Sequence, residues 1–226
     1  MTSIYQRALG PDFERLHPKL QWRFGFSSSG GTCQIGTGVM DDVWRGPWWT
    51  LPFLLLGSTR RVLFPSRGRD VPFTIGNYAY VDGFGRETVT WARRFKLRRR
   101  FRAFDATMIF SEARGSIIDY LGTHQHLAVD IDCSVDDEGA MCIRTGDQRF
   151  YEGPIGFRFP MPFSGVAEVR EGWDDARQRF TIDVRVSNRI FGPLFGYRGS
   201  FTVAEQPCTP DQIPVDVRPL REERRE

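Results

Sequence analysis

Residues 88–110, TVTWARRFKLRRRFRAFDATMIF, alternate in polarity with a period of two. Val89, Trp91, Arg93 and Phe95 share one face, and Thr88, Thr90, Ala92, Arg94 and Lys96 share the other. Beyond a basic corner the period resumes with Phe104, Ala106, Met108 and Phe110. Two strands joined by a hairpin are expected, with one arginine set in an apolar, aromatic face. A cation buried alone is prohibitively costly, so Arg93 must be paired inside the protein or held for a ligand.

Working outward, the same two-residue pattern recurs downstream. GSIIDYLG (115–122) is short and Gly-bounded. HQHLAVDIDCSV (124–135) sets Leu127, Val129, Ile131, Cys133 and Val135 against His124, His126, Asp130 and Asp132. Asp136-Asp137-Glu138-Gly139 reads as a type I turn followed by a left-handed glycine, which pairs Val135 with Met141 and Cys133 with Ile143. That register keeps Cys133 away from Cys142, so no disulfide is expected between them. FRFPMPF (157–163) carries prolines that suit only an edge or a bulge. GVAEVREGW, RFTIDVRVS and FGYRGSFTV complete a set of nine or ten short strands with no long helices between them. The fold class is mostly β, a single antiparallel barrel or strongly curved half-barrel.

Upstream, Ser3 is placed to cap a short helix carrying Ile4, Tyr5 and Leu9, stopped by Gly10-Pro11. A second turn carries Phe13 and Leu16, and Leu20, Trp22 and Phe24 then alternate as in a strand. Residues 3–22 are expected to form short helices that lid or plug the sheet. VWRGPWWTLPFLLLGS (43–58) is rich in tryptophan and broken by proline, a pattern that either plugs a barrel or lies at a membrane interface. The plug is the commoner role. One domain over 1–206 is expected, with 1–58 as covering segment and 59–206 as sheet. A polar, Pro-containing tail at 207–226 is expected to be loosely held.

At 40% hydrophobic and 14% aromatic residues the chain has the means for a bulky core, and a net charge of +3 is too small to argue for nucleic acid. No apolar run follows Met1 as in a secretory signal, and LPFLLLG (51–57) is far short of the roughly 20 residues of a membrane span. Four cysteines without paired metal spacing fit a reducing cytoplasm, with peripheral attachment to a membrane left open.

Arg93 heads the candidate site. In one reading it meets the carboxylate or phosphate head of an amphipathic ligand whose tail lies among Trp91, Phe95, Phe104, Met108 and Phe110. In the other it is paired internally with Glu112, Glu168 or Glu171, of which Glu171 is favoured by its place on an apolar face. Tyr197, packed inward beside Phe195 and Phe201, and Glu171 complete the expected ligand-binding set. His124 and His126 share a polar face, but a third metal ligand would have to come from distant His17, so no metal is expected. Lys96, Arg98, Arg99 and Arg100, with Trp48 and Trp49, form a candidate anionic or membrane-facing surface. No nucleophile elbow or metalloprotease motif is present, and Cys33 has no neighbouring histidine in sequence.

IYQRALGPDFERLHP (4–18), WARRF (91–95), RFTIDV (179–184) and GPLFGYRG (192–199) together resemble the family known as domain of unknown function 4166. Members stand alone or are appended to larger proteins, including ones with saccharopine-dehydrogenase-like reductase domains. The chain has no Gly-rich dinucleotide turn after a strand, so the resemblance implies a self-contained accessory module without a nucleotide cofactor. It supplies no catalytic residues. The expected function is non-catalytic binding of a lipophilic or amphipathic small molecule. The alternatives are an enzyme using the same cavity through Arg93 and Glu171, or a module that docks on an anionic membrane or a partner domain. No cofactor and no nucleic-acid partner are expected.

Overall fold

The computed structural model describes residues 1–98, 100–160 and 164–226. Its strands are β1 (Thr32–Arg45), β2 (Gly68–Val81), β3 (Glu87–Leu97), β4 (Arg100–Ser111), β5 (Ser116–Leu121), β6 (Leu127–Val135), β7 (Met141–Glu152), β8 (Ile155–Arg158), β9 (Gly165–Asp174), β10 (Arg179–Asn188) and β11 (Gly192–Pro207). All but β8 close into a ten-stranded antiparallel barrel in which each strand pairs with its sequence neighbours and β11 returns to β1. β8 hangs on the far end of β7 as an edge. Met161 and Phe163 of the expected edge segment lie outside the described residues.

Strand periodicity builds the wall. Along β10, Phe180, Ile182, Val184 and Val186 point inward while Arg179, Arg185 and Ser187 are exposed. The β6–β7 hairpin takes the expected register, Val135 opposite Met141 and Cys133 opposite Ile143, and Gly139 turns it with φ 74°. β1 corrects the expected sheet boundary, because the barrel starts at residue 32 and not near 59. Its glycines weaken the strand signal, yet closure requires them: a Cβ on Gly38 would lie 2.1 Å from the Ser200 carbonyl oxygen.

Ten strands enclose a bore too wide for wall side chains alone to fill. One end is plugged by the N-terminal segment. Helix α1 (Ile4–Leu9) begins at Ser3, whose Oγ accepts from Tyr5 N–H while Gln6 Oε1 accepts from Ser3 N–H. A 3-10 turn over Gly10–Arg15 follows, and then α2 (Pro18–Phe24). α2 replaces the strand-like alternation expected at Leu20, Trp22 and Phe24. Pro18 sits in its first turn and His17 Nδ1 caps Lys19 N–H, so Leu20, Arg23 and Phe24 are buried while Trp22 is left outside.

The opposite end carries the Arg45–Gly68 connection with helix α3 (Leu51–Thr59). Only Leu54 of α3 is fully buried. The expected plug is therefore a cap, with Trp48, Trp49, Phe53, Leu55 and Leu56 exposed on it. Phe64 anchors the connection against Phe95 and Phe195 at 5.1 and 4.7 Å between ring centres.

The tail is not loose. Cys208, Ile213 and Val217 bury Tyr78, Tyr80 and Ala92 on the outer wall. Further on, Leu220 N–H donates to Thr123 O at 2.8 Å, and the Tyr120 hydroxyl donates to Arg225 O at 2.9 Å. Polar and proline-broken residues read as a free tail, but a few apolar ones suffice to strap it down. This covering is why β3 is buried on both faces over most of its length.

Candidate functional site

The interior is divided three ways. Beside β1, β2 and β11 it is filled by Phe64, Phe73, Phe95, Phe195, Tyr197 and Phe201, in contact ring to ring. At the plugged end lies a buried polar knot. Arg23 is ion-paired with Glu171, Gln34 Oε1 accepts from its Nη1 at 3.4 Å, and Asn77, with its amide oxygen turned inward, accepts from the same nitrogen at 2.7 Å.

The third part is hollow. A cavity of about 440 Å³ lies between the inward residues of β3–β7 and those of β9 and β10, roofed by Phe53 and Leu56 of α3 with Leu63, Phe191 and Leu194. Its walls are almost wholly apolar, including Trp91, Phe104, Met108, Val129, Val169 and Val186.

Arg93 enters this cavity 4% exposed. Its Nε donates to Phe104 O at 3.0 Å, its Nη1 to the Tyr197 hydroxyl at 3.3 Å, and its guanidinium lies 3.7 Å from the centre of the Phe104 ring. Among the described residues it has no carboxylate within 4 Å. The expected internal pair with Glu171 is thus corrected. Glu171 faces inward at the plugged end, where Arg23 reaches it first. Glu112 meets Arg7 and Glu168 lies near Arg144.

Besides Arg93, Trp91 and Asp119 line the cavity, as do the polar residues Thr145, Gln148 and Asn188, which hydrogen-bond to the β9 segment and to Ser164. The Trp91 indole Nε1 and the Asp119 Oδ1 are both buried, and neither has a hydrogen-bond partner among the described residues. Burial pushes the Asp119 carboxyl up to about 7, against the pull of Arg93 and of a hydrogen bond to the Thr107 backbone. Asp119 escaped the sequence reading, although it sits at the same parity as Ile117 and Leu121 in an otherwise apolar run. Arg23 escaped it too, because the burial of α2 shows only at helical spacing.

Of the expected ligand contacts, Trp91, Arg93, Phe104 and Met108 line the cavity. Phe95 and Tyr197 belong to the aromatic block, and Phe110 lies toward the plugged end beneath the Arg7 guanidinium at 4.2 Å. His124 and His126 precede β6 instead of lying on it, since Gln125 takes φ 52°. His126 Nε2 is 2.7 Å from Glu152 Oε2, and burial lowers both imidazoles. His17 sits on Trp173 at the other end of the barrel. Among the described residues no cluster of three or more His, Cys, Asp or Glu is suited to a metal ion. Trp48, Trp49, Lys96, Arg98 and Arg100 are exposed at the α3 end, and Arg99 lies outside the described residues.

The model of the family described as "Domain of unknown function (DUF4166)" matches residues 16–201. The uncharacterized protein YndH of Bacillus subtilis (strain 168) is 34% identical over 208 residues, covering 91% of this chain and 99% of the relative. No solved structure matches.

Proposed function

The chain belongs to the DUF4166 family, and for this member we propose non-catalytic binding of a lipophilic small molecule with one polar head group inside the barrel. The observation that carries this reading is the 440 Å³ apolar cavity lined by Arg93, Trp91 and Asp119, the last two each with a buried polar atom that has no hydrogen-bond partner among the described residues. A small set of convergent polar groups in an otherwise oily cavity is the ordinary make-up of a ligand site. Arg93 and the indole N–H supply donors and Asp119 an acceptor when ionised, which suits a carboxylate or hydroxyl head on an aliphatic or aromatic body. A reaction in the same cavity would have to draw its carboxylate from Asp119, because Glu171 is sealed behind Arg23.

The test is titration of the purified protein with cis-parinaric acid, followed by displacement with alkanoic acids and alkanols of increasing length. Saturable, displaceable fluorescence is expected. Ala106→Phe, which pushes a ring into the cavity from its wall, is expected to abolish the signal while the thermal unfolding stays cooperative. Absence of saturable binding by the unmodified protein, or binding undiminished in Ala106→Phe, overturns the reading.

A further inference from the structure

We propose that the α3 end of the barrel is a docking surface for anionic membranes. The first observation is apolar exposure concentrated at one end of the molecule. Trp48 is 75% exposed, Leu55 55% and Leu56 72%, and Trp49 and Phe53 belong to the same connection. Ile190, 64% exposed, stands on the adjoining β10–β11 turn, whose Phe191 packs on Phe53 at 5.4 Å. Two exposed tryptophans beside exposed leucine and phenylalanine side chains suit the boundary between head groups and acyl chains, where aromatic residues with a polar edge collect. No helix among the described residues is long and apolar enough to cross a membrane, so attachment through this helix is peripheral.

The second observation is charge, and it names the occupant. Arg67 borders Trp48 and Arg45 in one groove and Arg98 and Arg100 in the next, while Arg102 lines a third with Ser58 of α3. Arg102 Nε donates to Ser66 Oγ at 3.0 Å, which ties the β3–β4 hairpin to the chain leaving α3. Among the described residues none of these arginines has a carboxylate within 4 Å, although the rest of the barrel is laced with ion pairs such as Arg149–Asp130 and Arg170–Asp136. A collar of unneutralised cations around an exposed apolar helix is complementary to phosphate heads above acyl chains. An uncharged protein face offers no partner for the collar.

This geometry also turns the cavity roof toward the bilayer, since Phe53 and Leu56 line the cavity and are themselves exposed. A lipophilic guest would then enter from the membrane, a consequence that rests on the proposed ligand function, whereas docking itself does not.

The experiment is flotation with vesicles of phosphatidylglycerol and phosphatidylcholine in equal parts, against phosphatidylcholine alone, at low and high salt. Flotation with the anionic vesicles, weakened by salt, is expected. The triple variant Arg67→Gln/Arg98→Gln/Arg100→Gln is expected to bind on the order of a hundredfold more weakly. Trp48→Ser/Leu55→Ser, whose side chains do not line the cavity, is expected to lose flotation while keeping its circular dichroism and its parinaric acid titration in vesicle-free buffer. Failure of the unmodified protein to float at low salt overturns the proposal, as does equal flotation of both variants. Concentration-dependent dimerisation erased by Trp48→Ser/Leu55→Ser, without flotation, would assign the face to a second copy of this chain and also overturn it. The vesicle-free titration reports on the ligand reading separately.

Discussion

Arg23 and Glu171, 148 residues apart, form an ion pair 1% and 0% exposed that bolts the N-terminal plug to the barrel wall. Removing one partner leaves a bare charge in the interior, at a typical cost of about 3–5 kcal/mol. Arg23→Met and Glu171→Gln are each expected to destabilise on that scale in urea unfolding, with the Gln variant at the lower end. Replacing both by Met and Leu should recover part of the loss, because no bare charge remains although Gln34 and Asn77 lose the Arg23 donor. Single variants as stable as the parent would show that the pair contributes no net stability.

Asp119 carries a pH dependence of the opposite sense to that of an ion-paired carboxylate. Its pKa is raised from 3.8 to about 7, so between those values the folded state holds a proton that the unfolded chain has released. Its contribution to stability is therefore full at acid pH and is lost as pH rises from about 4 to 7, by about 1.4 kcal/mol for each pH unit crossed. Asp119→Asn is expected to flatten this decline in denaturant midpoints measured across that range. A parent protein whose midpoint climbs steadily from pH 5 to 8, unchanged by Asp119→Asn, would contradict the assignment. An alkyl sulfonate, whose own charge is constant, should also bind more tightly below pH 7, where Arg93 is the only charged group lining the cavity among the described residues.

Closure of the barrel depends on Gly38. A Cβ there would lie 2.1 Å from Ser200 O and 2.5 Å from Phe201 Cα, both backbone atoms that cannot swing aside. Gly38→Ala is expected to separate β1 from β11 and cost about 1–3 kcal/mol or more. The readout is the denaturant midpoint together with amide exchange along Val203 and Phe201. Unchanged exchange there would mean that the seam tolerates a methyl group.

Much of the wall was legible in the chain because a half-buried strand writes its orientation every second residue. The inward row Val89, Trp91, Arg93 and Phe95 follows from that period, and the Cys133–Ile143 register follows from it together with the turn at Asp136-Asp137-Glu138-Gly139. β1 was not legible, since glycines at 36 and 38 carry no side chains to alternate. The end of α2 resembles a strand because Leu20, Trp22 and Phe24 are three large residues two apart, whereas Pro18 at the first turn favours the helix. In the candidate site Arg93 announced itself by interrupting an apolar row, and Asp119 interrupts one in the same way between Ile117 and Leu121.

By itself the sequence determined an antiparallel β architecture with a buried arginine, because polarity alternation is a local property that survives without knowledge of neighbours. Which acid meets which base was decided only by the tertiary structure. Arg93 and Glu171 are equally inward by parity, but distance along the barrel axis gives Glu171 to Arg23 and leaves Arg93 facing open space. Whether the bore is filled or hollow is likewise a matter of three-dimensional volume, set by where the plug stops and the cap begins.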